Sequence, residues 1–178
     1  VAGGSHNVAS GDASTVAGGT NNNARGLWSV VGGGGGATST DSNSAIGDYS
    51  AILGGSSNWA IGTHSTIGGG QNNVARGDFS VIGGGGASDP FDSNLAAGFA
   101  SVVSGGAVNR AIGSAATISG GVVNYAGGSY STVSGGSFNN SAGEDATIGG
   151  GKQNSASGSM GTVSGGFHNV ASDTGAVV

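Results

Sequence analysis

The sequence predicts an all-β fold: a parallel β-solenoid of about twelve 15-residue coils, with two short strands per coil. Three observations carry this expectation. The unit S-T-V-S-G-G-x-x-N-x-A-x-G-x-x recurs along the whole chain, opening at Ser14, Ser29, Ser50, Ser65, Ser80, Ser101, Ala116, Ser131, Ala146, Gly161 and Ala176. Within it, constrained and free positions alternate, which is the period-2 signature of strands. Glycine accounts for 42 of 178 residues. At about 1 kcal/mol each against alanine, that frequency argues against helix.

Each element follows from the unit, counted from its opening serine. Position 3 is a β-branched aliphatic at every occurrence, from Val1 and Val16 through Ile52 and Ile67 to Val163 and Val178. Position 11 is alanine except at Ser141, position 13 is glycine except at Asp173, and positions 5 and 6 are always glycine. Strands are therefore expected over roughly positions 1–5 and 9–13, each closed by a turn at glycine, which adopts positive φ without steric cost. Positions 1, 3, 5, 9, 11 and 13 would point inward. The interior is thin: one Val or Ile and one Ala per coil, framed by Ser, Asn and Gly.

Position 9 is asparagine in every unit. A buried amide must find partners at each level. Asn22, Asn43, Asn58, Asn73, Asn94, Asn109, Asn124, Asn139 and Asn154 are accordingly expected to form a structural ladder, bonding along the coil axis or tying down turn backbone.

Taken without order, 7% charged residues and abundant glycine fall near low-complexity chains. The register of Val and Ile overrules a flexible linker. The net charge is −5, with Arg25, Arg76, Arg110 and Lys152 as the only Lys or Arg, which argues against nucleic acid as a partner. No apolar run approaches the ~20 residues of a membrane span, and no basic amphipathic helix is present. The absence of cysteine fits an exported protein that needs no disulfides, and fits a cytosolic one equally. No segment resembles a signal peptide. Val1 and Val178 both fall at position 3, so residues 1–178 read as a single repeat domain cut from a longer fibre protein.

One chain is expected to need company. A buried Val or Ile is worth ~2 kcal/mol, against an ordering cost of ~1–2 kcal/mol for every residue of the coil. Positions 2 and 4 carry Thr, Val, Ala, Gly and Ser, with Leu53 the one large exception. That flat face would let copies pack closely about a common axis.

Asn22-x-Ala24-x-Gly26-x-x-Ser29 and Asn154-x-Ala156-x-Gly158 resemble the head repeats of trimeric autotransporter adhesins of the YadA-like type, and the similarity covers essentially the whole chain. The resemblance implies a left-handed β-roll, a homotrimer, and extracellular display at the cell surface with outer-membrane anchoring through regions outside this segment. It also implies attachment to a host or prey cell-surface or matrix ligand, protein or glycan. Two features depart from the family: the unit has 15 residues and a Gly-Gly turn rather than being slightly shorter, and no neck or coiled-coil stalk lies in the segment. The repeat is also similar to parts of phage tail fibres and other trimeric fibre tips.

The expected function is a non-enzymatic adhesin head or fibre tip; the alternative is a structural spacer or shaft. Binding is expected first at two long units of 21 residues, where six extra residues, expected at 34–39 and 85–90, precede Asn43 and Asn94. Insertions in solenoids map to one face, often the binding face. Thr38, Thr40 and Asp41 in the first loop, and Asp89, Pro90, Phe91 and Asp92 in the second, are the candidate binding residues. The loops stand 51 residues apart, as do Arg25 and Arg76, which suggests duplication of a three-coil block.

No catalytic residue, metal ligand or cofactor site is expected. His6, His64 and His168 do not combine with a nucleophile and an acid, and scattered carboxylates make a poor case for sugar cleavage. Asp12, Asp48 and Asp78 share position 14 but do not continue as a calcium-binding series. A third reading is ice binding through the position-2 threonines. Val30, Val81 and Val102 interrupt that column, and Thr117 to Thr162 have no matching second column.

Overall fold

A computed structural model describes residues 1–87 and 93–178. Among them the chain is a parallel β-solenoid of about eleven turns without an α-helix; Val1 and Val178 contribute to incomplete coils. Strands at positions 10–11, from Val8–Ala9 to Val170–Ala171, form an eleven-stranded sheet in sequence order. Strands at positions 2–3, from Thr15–Val16 to Thr162–Val163, form a ten-stranded sheet. The register never slips: Ile52 pairs with Ile67, Ala45 with Ala60, and the long unit between them still sets Ala24 against Ala45. Isolated bridges at position 7, such as Ser5 to Thr20 and Ser56 to Gln71, add a third line of contact between coils.

The strands are dipeptides, shorter than the five-residue segments expected. The reason is that turns are not made by glycine alone. Non-glycine residues at position 15 (Trp28, Tyr49, His64, Phe79) and position 8 (Asn21, Ser57, Asn72, Val108) have φ between 56° and 60°. Trp28, Tyr49, His64, Phe79, Asn21, Ser57 and Asn72 each turn the N–H back to the preceding coil. Tyr49 donates to the Leu27 carbonyl at 2.7 Å and His64 to that of Asp48 at 2.8 Å, whereas strand amides such as Thr66 donate forward, to Ser80 at 2.9 Å.

The core is one column of Val and Ile facing one column of Ala, all fully buried from Val16 and Ala24 to Val163 and Ala156. Position 1 and position 9 frame it, with Ser29, Ser65, Asn58 and Asn73 likewise sealed from solvent. Position 5 departs from expectation and stays partly exposed, as at Gly18 and Gly54, because the chain is already turning there. Position 13 is glycine for a different reason from position 6. A Cβ on Gly62 would run into the Gly77 carbonyl of the next coil, although Gly62 itself has ordinary backbone geometry.

Candidate functional site

Positions 10 and 12 of the eleven-stranded sheet point outward and carry the varied side chains. Asn23 lies beside Ser44, Ser44 beside Trp59, and Trp59 beside Val74. Position 12 adds Arg25, Ile46, Ile61 and Arg76 alongside them.

Register locates the first insertion. Gly35 still bridges Thr20 at position 7, and Asn43 resumes position 9, so the extra residues are 36–41. The loop is fastened at both ends. Asn21 Nδ2 donates to the Gly36 carbonyl at 2.8 Å from the coil below, and the Ser57 amide donates to the Asp41 carbonyl at 3.1 Å from the coil above. Ser57 Oγ adds a bond to the Thr40 carbonyl at 3.2 Å. Inside the loop, a 3-10 turn spans Ser39–Asp41, and the Asp41 carboxylate accepts from the Thr38 amide at 3.2 Å and the Thr38 hydroxyl at 2.9 Å. Thr40 Oγ1 lies 2.7 Å from Thr38 Oγ1 and donates to it. Asp41 and Thr38 thus hold the turn together, and Thr40 reaches a groove. Asp89, Pro90, Phe91 and Asp92 lie outside the described residues.

Two grooves flank the loop. The first, about 410 Å³, has His6, Asn23, Arg25, Ser39, Ser44 and Trp59 among its walls. The second, about 500 Å³, is floored by Trp59, Ile61 and Val74, with Thr40, Asn72 and Arg76 at its sides. Trp59 belongs to both and is 46% exposed. The far side of the second groove is the root of the second loop, where Asn72 Nδ2 donates to the Ala87 carbonyl at 2.7 Å, as Asn21 does to Gly36. Sequence reasoning noted the variable residues and the loops but missed the grooves. Their walls come from several coils, and the sequence offered only the 51-residue interval that Arg25 and Arg76 share with the two loops.

The position-9 asparagines lie elsewhere, in the wall of the core. The Asn58 side chain has the Gly54 carbonyl at 3.2 Å, the Gly70 carbonyl at 2.9 Å and Asn43 Oδ1 at 3.0 Å within reach of Nδ2. The same pattern recurs at Asn73, Asn124 and Asn139. Asp48 and Asp78 are occupied with backbone, each accepting at 2.8 Å from the preceding coil, from Leu27 and Thr63 respectively. Among the described residues no group of three or more His, Cys, Asp or Glu could hold a metal, and no helix is long and apolar enough to cross a membrane.

A second exposed feature runs along the position-15 edge. The rings of Tyr49, His64 and Phe79 stack at 4.7 and 4.9 Å with planes 9° apart, and Phe99 meets Phe79 edge-on at 5.5 Å. The stacked faces are spent on one another, so solvent meets ring edges.

No known protein-family model matches the chain, and no curated protein matches it significantly.

Proposed function

We propose that this segment is the head or tip of a trimeric fibre displayed outside a bacterial cell, acting without catalysis by attachment through its groove-bearing face. Three copies would pack as left-handed β-rolls through the flat sheet of Thr15, Val30, Ala51, Thr66 and Val81, leaving the opposite sheet and its loops outward. The observation that carries the attachment reading is the loop at 36–41. Six residues that the solenoid does not need are tied to the coils below and above and overhang grooves on both sides. An inert insertion gains nothing from such fastening, whereas a binding rim gains pre-organisation. The repeat pattern's similarity to trimeric adhesin heads supports the same reading.

Deletion of residues 36–41 together with 87–92 tests the reading. The shortened fibre should keep its mass by light scattering and lose attachment to cells or matrix. Unchanged attachment would assign the segment to a spacer.

A further inference from the structure

We propose that the two grooves beside the 36–41 loop take an acidic sugar chain, with carboxylate or sulfate groups held by Arg25 and Arg76 over a floor made by Trp59. The inference rests on the attachment reading and supplies its ligand class.

The charge distribution is the first support. The chain carries −5 overall with four Lys or Arg residues, yet Arg25 and Arg76 both stand on this face, one in each groove, with Trp59 between them. They lie three coils apart, roughly 14–15 Å at ~4.8 Å per coil. On a chain this poor in cations, that pairing selects for separated negative charges along an extended ligand. Guanidinium forks suit planar carboxylate and tetrahedral sulfate oxygens alike.

The lining is the second support. Around Arg25 stand Asn23, Ser39 and Ser44, short polar groups that pair with hydroxyls. Trp59 offers a half-exposed apolar surface of the kind that fixes a ligand within an otherwise polar site. Volumes of about 410 and 500 Å³ fall within the ~300–1,000 Å³ range of small-molecule sites.

The backbone supplies the third. Strand amides and carbonyls on this face are consumed by the neighbouring coils, so an extended peptide finds no free edge to pair with. A polymer read by side chains fits; a strand does not. Single-stranded nucleic acid shares the demand for cations and a stacking ring, but it requires more cations than two arginines on an acidic chain provide.

The test uses the full 178-residue chain in titration calorimetry. The probes are oligogalacturonate, a heparin-derived oligosaccharide, a neutral dextran oligosaccharide and oligo-dT. Binding of the carboxylated or the sulfated sugar, weakened by salt, is expected, and which of the two binds identifies the anionic group. Trp59→Ala, Arg25→Ala and Arg76→Ala should each weaken it about tenfold, with Arg25→Lys intermediate and Lys152→Ala silent. Circular dichroism melts confirm that the variants fold. Equal binding of dextran, preference for oligo-dT, or indifference to Trp59→Ala overturns the proposal. If attachment still needs the loops while neither acidic sugar binds, the ligand class fails and the attachment reading stands. If attachment is also indifferent to the loops, both fall.

Discussion

Asn58 Nδ2 lies 3.0 Å from Oδ1 of Asn43, the asparagine one coil earlier. The next coil returns the contact, for the Asn73 amide and Asn73 Nδ2 approach Asn58 Oδ1 at 3.0 and 3.1 Å. Each side chain therefore joins three successive coils. Asn58→Ala is expected to destabilise the fold by about 2–4 kcal/mol, since it strips several buried groups of their partner at once. Asn58→Asp should cost more at neutral pH, because a carboxylate would face the Gly54 and Gly70 carbonyls in place of a donor. Thermal and urea denaturation of both variants checks the order.

Adjacent glycines should behave in opposite ways. Gly55 has φ +84°, and a Cβ there would overlap the Gly70 carbonyl. Gly54 has nothing within 4 Å of the place its Cβ would take. Gly55→Ala should cost more than about 3 kcal/mol or prevent folding, and Gly54→Ala should stay within about 1 kcal/mol. Equal melting temperatures would contradict the geometry.

The position-1 serines invite the reverse change. Ser29, Ser50, Ser65, Ser80 and Ser101 bury Oγ with no hydrogen-bond partner among the described residues. Ala116 and Ala146 already occupy the same position and are fully buried. Ser65→Ala is expected to stabilise by about 1 kcal/mol, the desolvation cost of an unpaired hydroxyl. Ser141 offers the control: buried at position 11, its Oγ donates to the Ala146 carbonyl at 2.9 Å, so Ser141→Ala should not stabilise.

Val108 and Val123 hold φ of 60° and 58°, a region that β-branched residues avoid. Asn21 and Asn72 adopt it at the same position of other coils. Val108→Asn and Val123→Asn should each raise stability by about 1 kcal/mol, measured by the urea midpoint.

The proposed trimer through the ten-stranded sheet predicts a change in mass. Val81→Arg and Val102→Arg place a bulky cation on the flat face, and the assembly should fall from three chains to one in size-exclusion chromatography with light scattering. A trimer that survives both substitutions would move the interface to another face.

The solenoid was legible because its signal is repeated: a Val or Ile at position 3 and an Ala at position 11 in nearly every coil leave little freedom for another period. The inward serine at position 1 and asparagine at position 9 followed from the same alternation. Two-residue strands were not legible, since nothing in Tyr49 or Val123 as residue types announces a left-handed backbone; neighbouring coils impose it through the backward hydrogen bonds. The site was only partly legible. Trp59, Arg25 and Arg76 stood out as large or charged residues at free positions. Their meeting around one loop depends on which turn receives the extra residues, and the backbone register sets that at 36–41 rather than nearer Gly34.

That register carries an engineering consequence. Gly35 keeps its bridge to Thr20 and Asn43 its bonds to Asn22 and Asn58, while Asp41 offers the Ser57 amide the carbonyl that position 7 supplies in other coils. The junction after position 7 is thus a socket, and every coil of ordinary length owns an empty one. Foreign hexapeptides grafted after Gln71, Val122 or Ser137 would be displayed in a row, with a pitch of whole coils at ~4.8 Å each. The fold is a ruler on which epitopes can be written at chosen intervals.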